Sequence, residues 1–373
     1  MPLITVSTCG TSILTNGAAG DDRTFLNIHA NKKKSEYKQE DLARLDKIIQ
    51  AKRDKLIGAD PEEVKRFSAE LNGFITFCDD SGGLSKAAYS QNLHYLIHTD
   101  TYQGLITAEL IRDWGAAHNI KMQTVLINDL NTKSLEEFKL GINNLIDWCV
   151  KTLPGYRSSG YKVIFNLVGG FKTLQGYMQT LGMFYADETI YIFEGSKELL
   201  RIPKLPVVFD ANAKQAVIEN SWAFWKIEQN GYISSDECEG IPDTLLDRID
   251  DKCTMSEWMK ILWEQVKESM YTEEILPPMT DNIKITRKAQ RAVPQNKYEE
   301  FNTAISKLSR YVATNGRENP VSLDFKKLVD SPFPESTHEF DLWNDGGGYR
   351  AFCHYDANNI LIIDSVGIGL GHH

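Results

Sequence analysis

Two short stretches of this chain carry residue types that can grip phosphate oxygens. Over residues 161–173 an apolar strand pattern, Tyr-Lys-Val-Ile-Phe, stops at Asn166, and a helix pattern begins at Phe171. Between them Gly169 and Gly170 let a backbone come close to a ligand. The first N–H groups of the following helix have no partners inside it, and Lys172 and Thr173 add a cation and a hydroxyl. The other stretch follows a first strand, Leu3-Ile4-Thr5-Val6, and reads Ser7-Thr8-Cys9-Gly10-Thr11-Ser12, small and hydroxyl-rich. The pair suits the two lips of one anion-binding cleft. Neither has the spacing of G-x-G-x-x-G or G-x-x-x-x-G-K-[ST], and an isolated Gly-Gly is equally a tight strand-to-helix turn.

Such loops are held in place by the strands that feed them. Strand patterns at 93–98, 124–128, 162–167 and 189–194 alternate with helical ones at 103–117, 135–151 and 171–185, which predicts an α/β domain with a parallel, doubly wound sheet. A charged, helix-rich insertion separates residues 17 and 90. It holds helices at 37–57 and 60–72, the second opening on an Asp60 cap with Pro61 at its first position, and it is expected to project from the sheet. An extended pair over 199–209 closes this unit near Asp210.

Beyond that point the character changes. Residues 213–270 read as short amphipathic helices, a small helical domain of winged-helix size. Residues 274–294 read as a linker, with Pro277-Pro278 followed by Lys284, Arg287, Lys288 and Arg291 and no acidic residue from 283 to 298. That charge run is either solvated or a nucleic-acid contact. A helix at 298–314 and strands at 349–355 and 360–366, joined by Asp356-Ala357-Asn358-Asn359, complete the chain.

Composition narrows the function classes. The 373 residues are 42% apolar and 25% charged, enough for two or three globular domains. No apolar run spans a bilayer and no basic leader precedes one, so the expected location is the cytoplasm, without a membrane partner. Six cysteines without C-x-x-C spacing suggest neither a zinc site nor a disulfide framework. A net charge of −10 argues against unspecific nucleic-acid binding over the whole surface.

Residues 1–210 resemble the CRISPR-associated Rossmann-fold (CARF) sensors, through the loop Ser7–Ser12, His98-Thr99-Asp100-Thr101 at the end of a middle strand, and the junction 166–173. The resemblance implies a homodimer that binds cyclic oligoadenylate across its axis. Thr8, Gly10, Thr11 and Ser12 would contact one part of the ring, and Gly169, Gly170, Lys172 and Thr173 its phosphates. From about Tyr298 the chain resembles RelE/YoeB-type messenger RNA interferases. The likeness lies in a helix, residues 323–328, a Phe340-Asp341-Leu342-Trp343 strand, Gly347-Gly348-Tyr349-Arg350-Ala351-Phe352 and a last strand. Arg350 stands where that family keeps a phosphate-binding arginine. The loop Gly367-Ile368-Gly369-Leu370 lacks the second arginine of many RelE toxins, and the chain ends His372-His373 where YoeB-type members have His-Tyr. From Gln295 onward seven Lys/Arg face eleven Asp/Glu, whereas such toxins are usually basic.

The order of parts is similar to the CRISPR-associated messenger RNA interferase family: sensor at 1–210, winged-helix-like connector at 211–280, basic linker at 281–294 and RelE-like ribonuclease at 295–373. What that family implies is activation by cyclic tetra-adenylate, with no cofactor, and cleavage of mRNA in the ribosomal A-site. Metal-free RNA cleavage needs a base for the 2′-hydroxyl, an acid for the leaving 5′-oxygen and a cation at the phosphate. The resemblance implies Arg350 as that cation; His372 or His373 would serve as the acid because imidazole titrates near neutrality, unless these two are a tag remnant. Glu339 or a ribosomal group would be the base, and Tyr349, Lys284, Arg287, Lys288 and Arg291 would contact RNA; the residue types alone equally allow Glu339 as a solvated carboxylate, Tyr349 as a packing residue and the basic run as a solvated linker. Two other classes stay open. One is a nucleotide-sensing transcription regulator, for which the segment 258–266 is insufficiently basic. The other is a ring nuclease acting through Ser7, Thr11 or Lys172.

Overall fold

The computed structural model describes residues 1–88, 91–193, 198–328 and 335–369, Lys86 by its backbone alone. They fall into two units, Met1–Val208 and a second from Phe209 onward.

In the first unit the apolar runs become β1 (Leu3–Thr8), β2 (Leu93–His98), β3 (Met122–Leu126), β4 (Lys162–Asn166), β5 (Glu188–Ile192) and β6 (Leu199–Pro203). Among the described residues these form one sheet in the order β3-β2-β1-β4-β5-β6. The first five strands run parallel and β6 turns back antiparallel to β5. Val163, Ile164 and Phe165 are all fully buried. That continuous burial means helices cover both faces, as a parallel sheet requires. Ile164 points into a core shared with the helices Gln39–Gly58, Ala69–Asp80 and Tyr102–Ala117, and its neighbours point the opposite way. Full burial of a side chain such as Phe165 contributes about 1.5–3 kcal/mol.

The insertion does not project. Its helix breaks at Ser68, whose extended backbone separates Pro61–Phe67 from Ala69–Asp80. Asp60 caps the first piece by accepting the Glu63 N–H at 2.9 Å. The second piece packs against β4, β5 and β6 with Leu71, Phe74, Ile75, Phe77 and Cys78 buried. Apolar residues on several sides of that helix are the reason it turns inward.

In the second unit, β7 (Ile233–Ser234), β8 (Leu246–Ile249) and β9 (Lys252–Met255) form an antiparallel sheet ordered β7-β9-β8, so this segment is less helical than its composition suggests. The helices Ala211–Glu219, Ser221–Asn230 and Glu257–Glu273 surround a core holding Phe224, Leu262 and Trp263. Further along lie β10 (Ile283–Ile285), β11 (Lys326–Lys327), β12 (His338–Asn344), β13 (Gly348–Tyr355) and β14 (Leu361–Ile368), in the order β10-β14-β13-β12-β11. The helix Tyr298–Ala313 covers one face, with Phe301, Ile305 and Leu308 packed on Phe340, Ala351, Cys353 and Ile363.

The expected linker at 281–294 is corrected by this sheet. β10 pairs parallel with β14, and Ile283, Ala289 and Val293 are buried. Ile283-Lys284-Ile285 alternates with the strand period, a local signal that the charge run obscures. Asn302, 3% exposed, ties the neighbouring segments together. Its amide donates to the Tyr271 and Glu274 carbonyls at 2.9 and 2.7 Å and accepts the Leu276 N–H at 2.9 Å. No helix among the described residues is long and apolar enough to cross a membrane.

Candidate functional site

In the strand order of the first unit, β2 lies on one side of β1 and β4 on the other. The chain therefore leaves the two central strands in opposite directions, opening a crevice beyond their carboxyl ends. Register places Ser7 of β1 beside Asn166 of β4, so both candidate loops start there. They touch. A Cβ on Gly10 would lie 3.0 Å from the Gly170 nitrogen, and Gly170 itself has φ +92°, which favours glycine. The Thr8 hydroxyl donates to the Gly169 carbonyl at 2.7 Å.

The space between these lips is held by a residue that the sequence reading misses. Glu70, 1% exposed at the start of the helix Ala69–Asp80, accepts the Gly10 N–H on Oε1 at 2.7 Å. Its Oε2 accepts the hydroxyls of Ser12 at 2.9 Å and Ser68 at 2.7 Å. Gly169 is glycine for the same reason: a Cβ would stand 2.3 Å from Glu70 Oε1. The glycines therefore admit a carboxylate of this chain. An acid in a helix's first turn ordinarily signals only a complement to the helix dipole, and nothing local reveals a reach of sixty residues to Gly10.

Below the carboxylate lies a sealed polar layer. Asn166 Nδ2 donates to Ser7 Oγ at 2.8 Å and to the Glu70 carbonyl at 2.9 Å, and Ser7 Oγ meets His94 Nε2 at 2.7 Å. His94 stacks on Phe74 at 4.5 Å, and its Nδ1 has no hydrogen-bond partner among the described residues. Burial pushes its imidazole down to about 3.

Several expected ligand contacts are thus used internally. Ser7 and Thr8 have no exposed surface, Gly169 is buried, and the donors of Gly10 and Ser12 are taken by Glu70. Ser7 is too deep to attack a bound phosphodiester. The rim keeps Thr11 and Gly170, both half-buried, and Lys172 and Thr173, both exposed. The helix Lys172–Tyr185 begins without a side-chain cap or a first-turn acid, leaving its terminal N–H groups open.

The second unit offers a different arrangement, on the sheet face turned away from the helix Tyr298–Ala313. Strand alternation sends Tyr349, Ala351 and Cys353 of β13 toward that helix, and Arg350, Phe352 and His354 to the other side. Tyr349 stacks on Trp343 with ring centroids 5.1 Å apart and so lies on the face opposite Arg350.

Arg350 Nη1 bonds Glu339 Oε1, and its Nε lies 3.1 Å from Asp341 Oδ1. Lys326 Nζ is 3.8 Å from Glu339. The expected phosphate cation and the expected base therefore meet as an ion pair, Glu339 buried and the Arg350 side chain 18% exposed. His372 and His373 lie outside the described residues.

The same face carries a group that the sequence reading leaves without a role. His354 Nδ1 is 2.9 Å from Asp364 Oδ2, which also accepts the Ser336 hydroxyl at 2.9 Å. Register runs Lys284–Ile362–His354 across β10, β14 and β13. Lys284, Arg287, Lys288 and Arg291 are all exposed, the last three on the short helix Arg287–Ala292. Strand alternation and a single capped turn thus display the basic residues from a folded edge.

Residues 65–205 match the model of a family described as CRISPR-associated protein (Cas_APE2256). The matched segment runs from just before Glu70 through β2 to β6 and contains the junction 166–173. This similarity supports a CRISPR-associated ancillary protein, and the mixed α/β unit that carries it is compatible with a Rossmann-like domain. No curated protein matches the chain.

Proposed function

We propose that this protein is an ancillary effector of type III CRISPR defence. Its Rossmann-like unit binds a cyclic oligoadenylate, cyclic tetra-adenylate being the expected ring, as a homodimer whose two-fold axis suits a symmetric ligand. Binding activates the second unit to cut mRNA on the ribosome without a metal. The observation that carries this reading is the family match over 65–205, which contains Glu70 and the 166–173 lip of the crevice at the topological switch point, where open α/β sheets take phosphate-bearing ligands. The exposed Lys172, Thr173 and open helix start would meet the phosphates.

In the second unit, Arg350 would neutralise charge building on the scissile phosphate and Glu339 would take the 2′-hydroxyl proton, each released from the other as RNA enters. The His354–Asp364 pair would contact a neighbouring nucleotide rather than the scissile one. His354 lies four residues from Arg350 on a strand, about 13 Å away at the usual rise.

A translation extract containing the protein, given each cyclic oligoadenylate in turn, tests the reading. Ribosome-bound mRNA should be cut with cyclic tetra-adenylate and stay intact without it. Intact mRNA under every ring size, with bound messenger detected, would remove the ribonuclease assignment. Absence of binding would remove the sensor.

A further inference from the structure

We propose that Glu70 is an internal anion seated in the phosphate cradle of the switch-point crevice, and that a phosphate of the incoming ligand takes the seat by displacing its carboxylate. The inference rests on the nucleotide-binding reading above and goes on to name the event that opens the site. Gly10 N–H and Ser12 Oγ, two donors of the first loop, point at one carboxylate at 2.7 and 2.9 Å, and Ser68 Oγ adds a third bond at 2.7 Å. The two first-loop donors, which converge on two oxygens of one anion, can converge on two oxygens of a phosphate, whereas Ser68 Oγ, the helix cap that accepts the Leu71 N–H at 3.2 Å, serves only to hold the carboxylate.

Two observations show that the seat is built around the anion. Gly169 leaves room for the side chain where it sits: a Cβ there would overlap Glu70 Oε1 at 2.3 Å. The carboxylate is also 1% exposed, and its only hydrogen bonds among the described residues come from uncharged donors. A buried carboxylate without a cation gives up hydration that its bonds only partly return. If it stays, it repels an arriving phosphate across a low-dielectric gap. If it turns out to water, it recovers hydration and leaves its donors to the newcomer.

The exit is a side-chain movement. The Glu70 carbonyl stays tied to Asn166 Nδ2 at 2.9 Å, and Leu71, Phe74 and Ile75 hold the helix on the sheet. What changes on exchange is the carboxylate's bridge between Ser12 and Ser68; the direct bond from the Ala69 N–H to Ser12 Oγ at 3.0 Å holds the first loop to the helix start.

Equilibrium binding of labelled cyclic tetra-adenylate to the full chain, compared among wild type, Glu70→Gln and Ser68→Ala, tests the exchange. Glu70→Gln keeps the shape and removes the charge. Ser68→Ala leaves both ligand-facing loops intact and weakens the hold on the carboxylate. Both variants are expected to bind tighter than wild type, Glu70→Gln by at least about tenfold, with unchanged far-ultraviolet circular dichroism. Tighter binding than wild type by neither variant overturns the displacement and leaves the sensor reading standing. Binding by none of the three proteins overturns both. Should Glu70→Gln fail to fold, Ser68→Ala decides alone: affinity at or below the wild-type value overturns the proposal.

Discussion

The crevice of the first unit and the sheet face of the second differ in sign yet share one property: donors that suit a phosphate hold carboxylates of this chain. In the crevice these groups are neutral, a backbone N–H and two hydroxyls around Glu70. On the sheet face Arg350 is a full cation between Glu339 and Asp341. A phosphate must overcome different things at the two places. Glu70 is retained by three charge-assisted bonds, each contributing about 1.5–3 kcal/mol, set against a desolvation cost of several kcal/mol. Arg350 keeps contact with water, so exchanging a carboxylate for a phosphate replaces like with like and depends on salt. An acidic chain thus supplies its own competitors at both sites.

The largest expected effect breaks the second half of this comparison. Arg350→Ala should lower cleavage of ribosome-bound mRNA about a hundred- to thousandfold, the scale of a lost oxyanion donor, while binding of cyclic tetra-adenylate stays at the wild-type level. Primer extension and a binding titration on the same preparation check both. A variant that cuts at near wild-type rate would sink the RelE reading and favour the transcription-regulator alternative.

Acid probes the sealed layer under Glu70. Burial holds the His94 imidazole at about 3 against its ordinary 6.5. Between those values the unfolded chain binds a proton that the folded one refuses. The stability is therefore complete above about pH 6.5 and declines as pH falls toward 3, by up to about 1.4 kcal/mol per unit or roughly 2 kcal/mol by pH 5. Urea midpoints at pH 7 and pH 5 should show this loss, and His94→Gln should flatten it. An identical slope in that variant would mean that His94 does not set it.

Lys172→Ala sharpens the comparison from the rim of the crevice. The side chain is exposed and has no salt-bridge partner among the described residues, so its loss should leave the melting temperature unchanged. It should weaken binding of cyclic tetra-adenylate about tenfold, by one phosphate contact. Calorimetric titration reads the affinity. Unaltered binding would take Lys172 out of the site.

Elements whose cause is local were legible. The strand read at 93–98 has those ends in the structure, because an apolar run between polar neighbours is a nearest-neighbour pattern. Asp60 caps its helix as its type and the following proline indicate. Patterns broken by burial elsewhere were not. The helix expected to stop at residue 151 continues to Ser158 through Pro154, with Leu153 fully buried. β10 is hidden in a basic segment because its partner, β14, lies some seventy-eight residues further along.

By itself the sequence determined that the first unit would be an alternating α/β sheet, that small and glycine-rich loops would follow its first and fourth strands, and that Gly-Tyr-Arg would open a late strand. These follow from side-chain period, turn chemistry and chain order. Tertiary structure alone decided which charges meet. It sent Glu70 from an inserted helix to the Gly10 N–H, and it set Glu339 and Asp341 of one strand against Arg350 of the next. The reason is physical: a hydrogen bond or ion pair is fixed by distance in space within a few ångströms, and residues far apart in the chain have no local period that records such a distance.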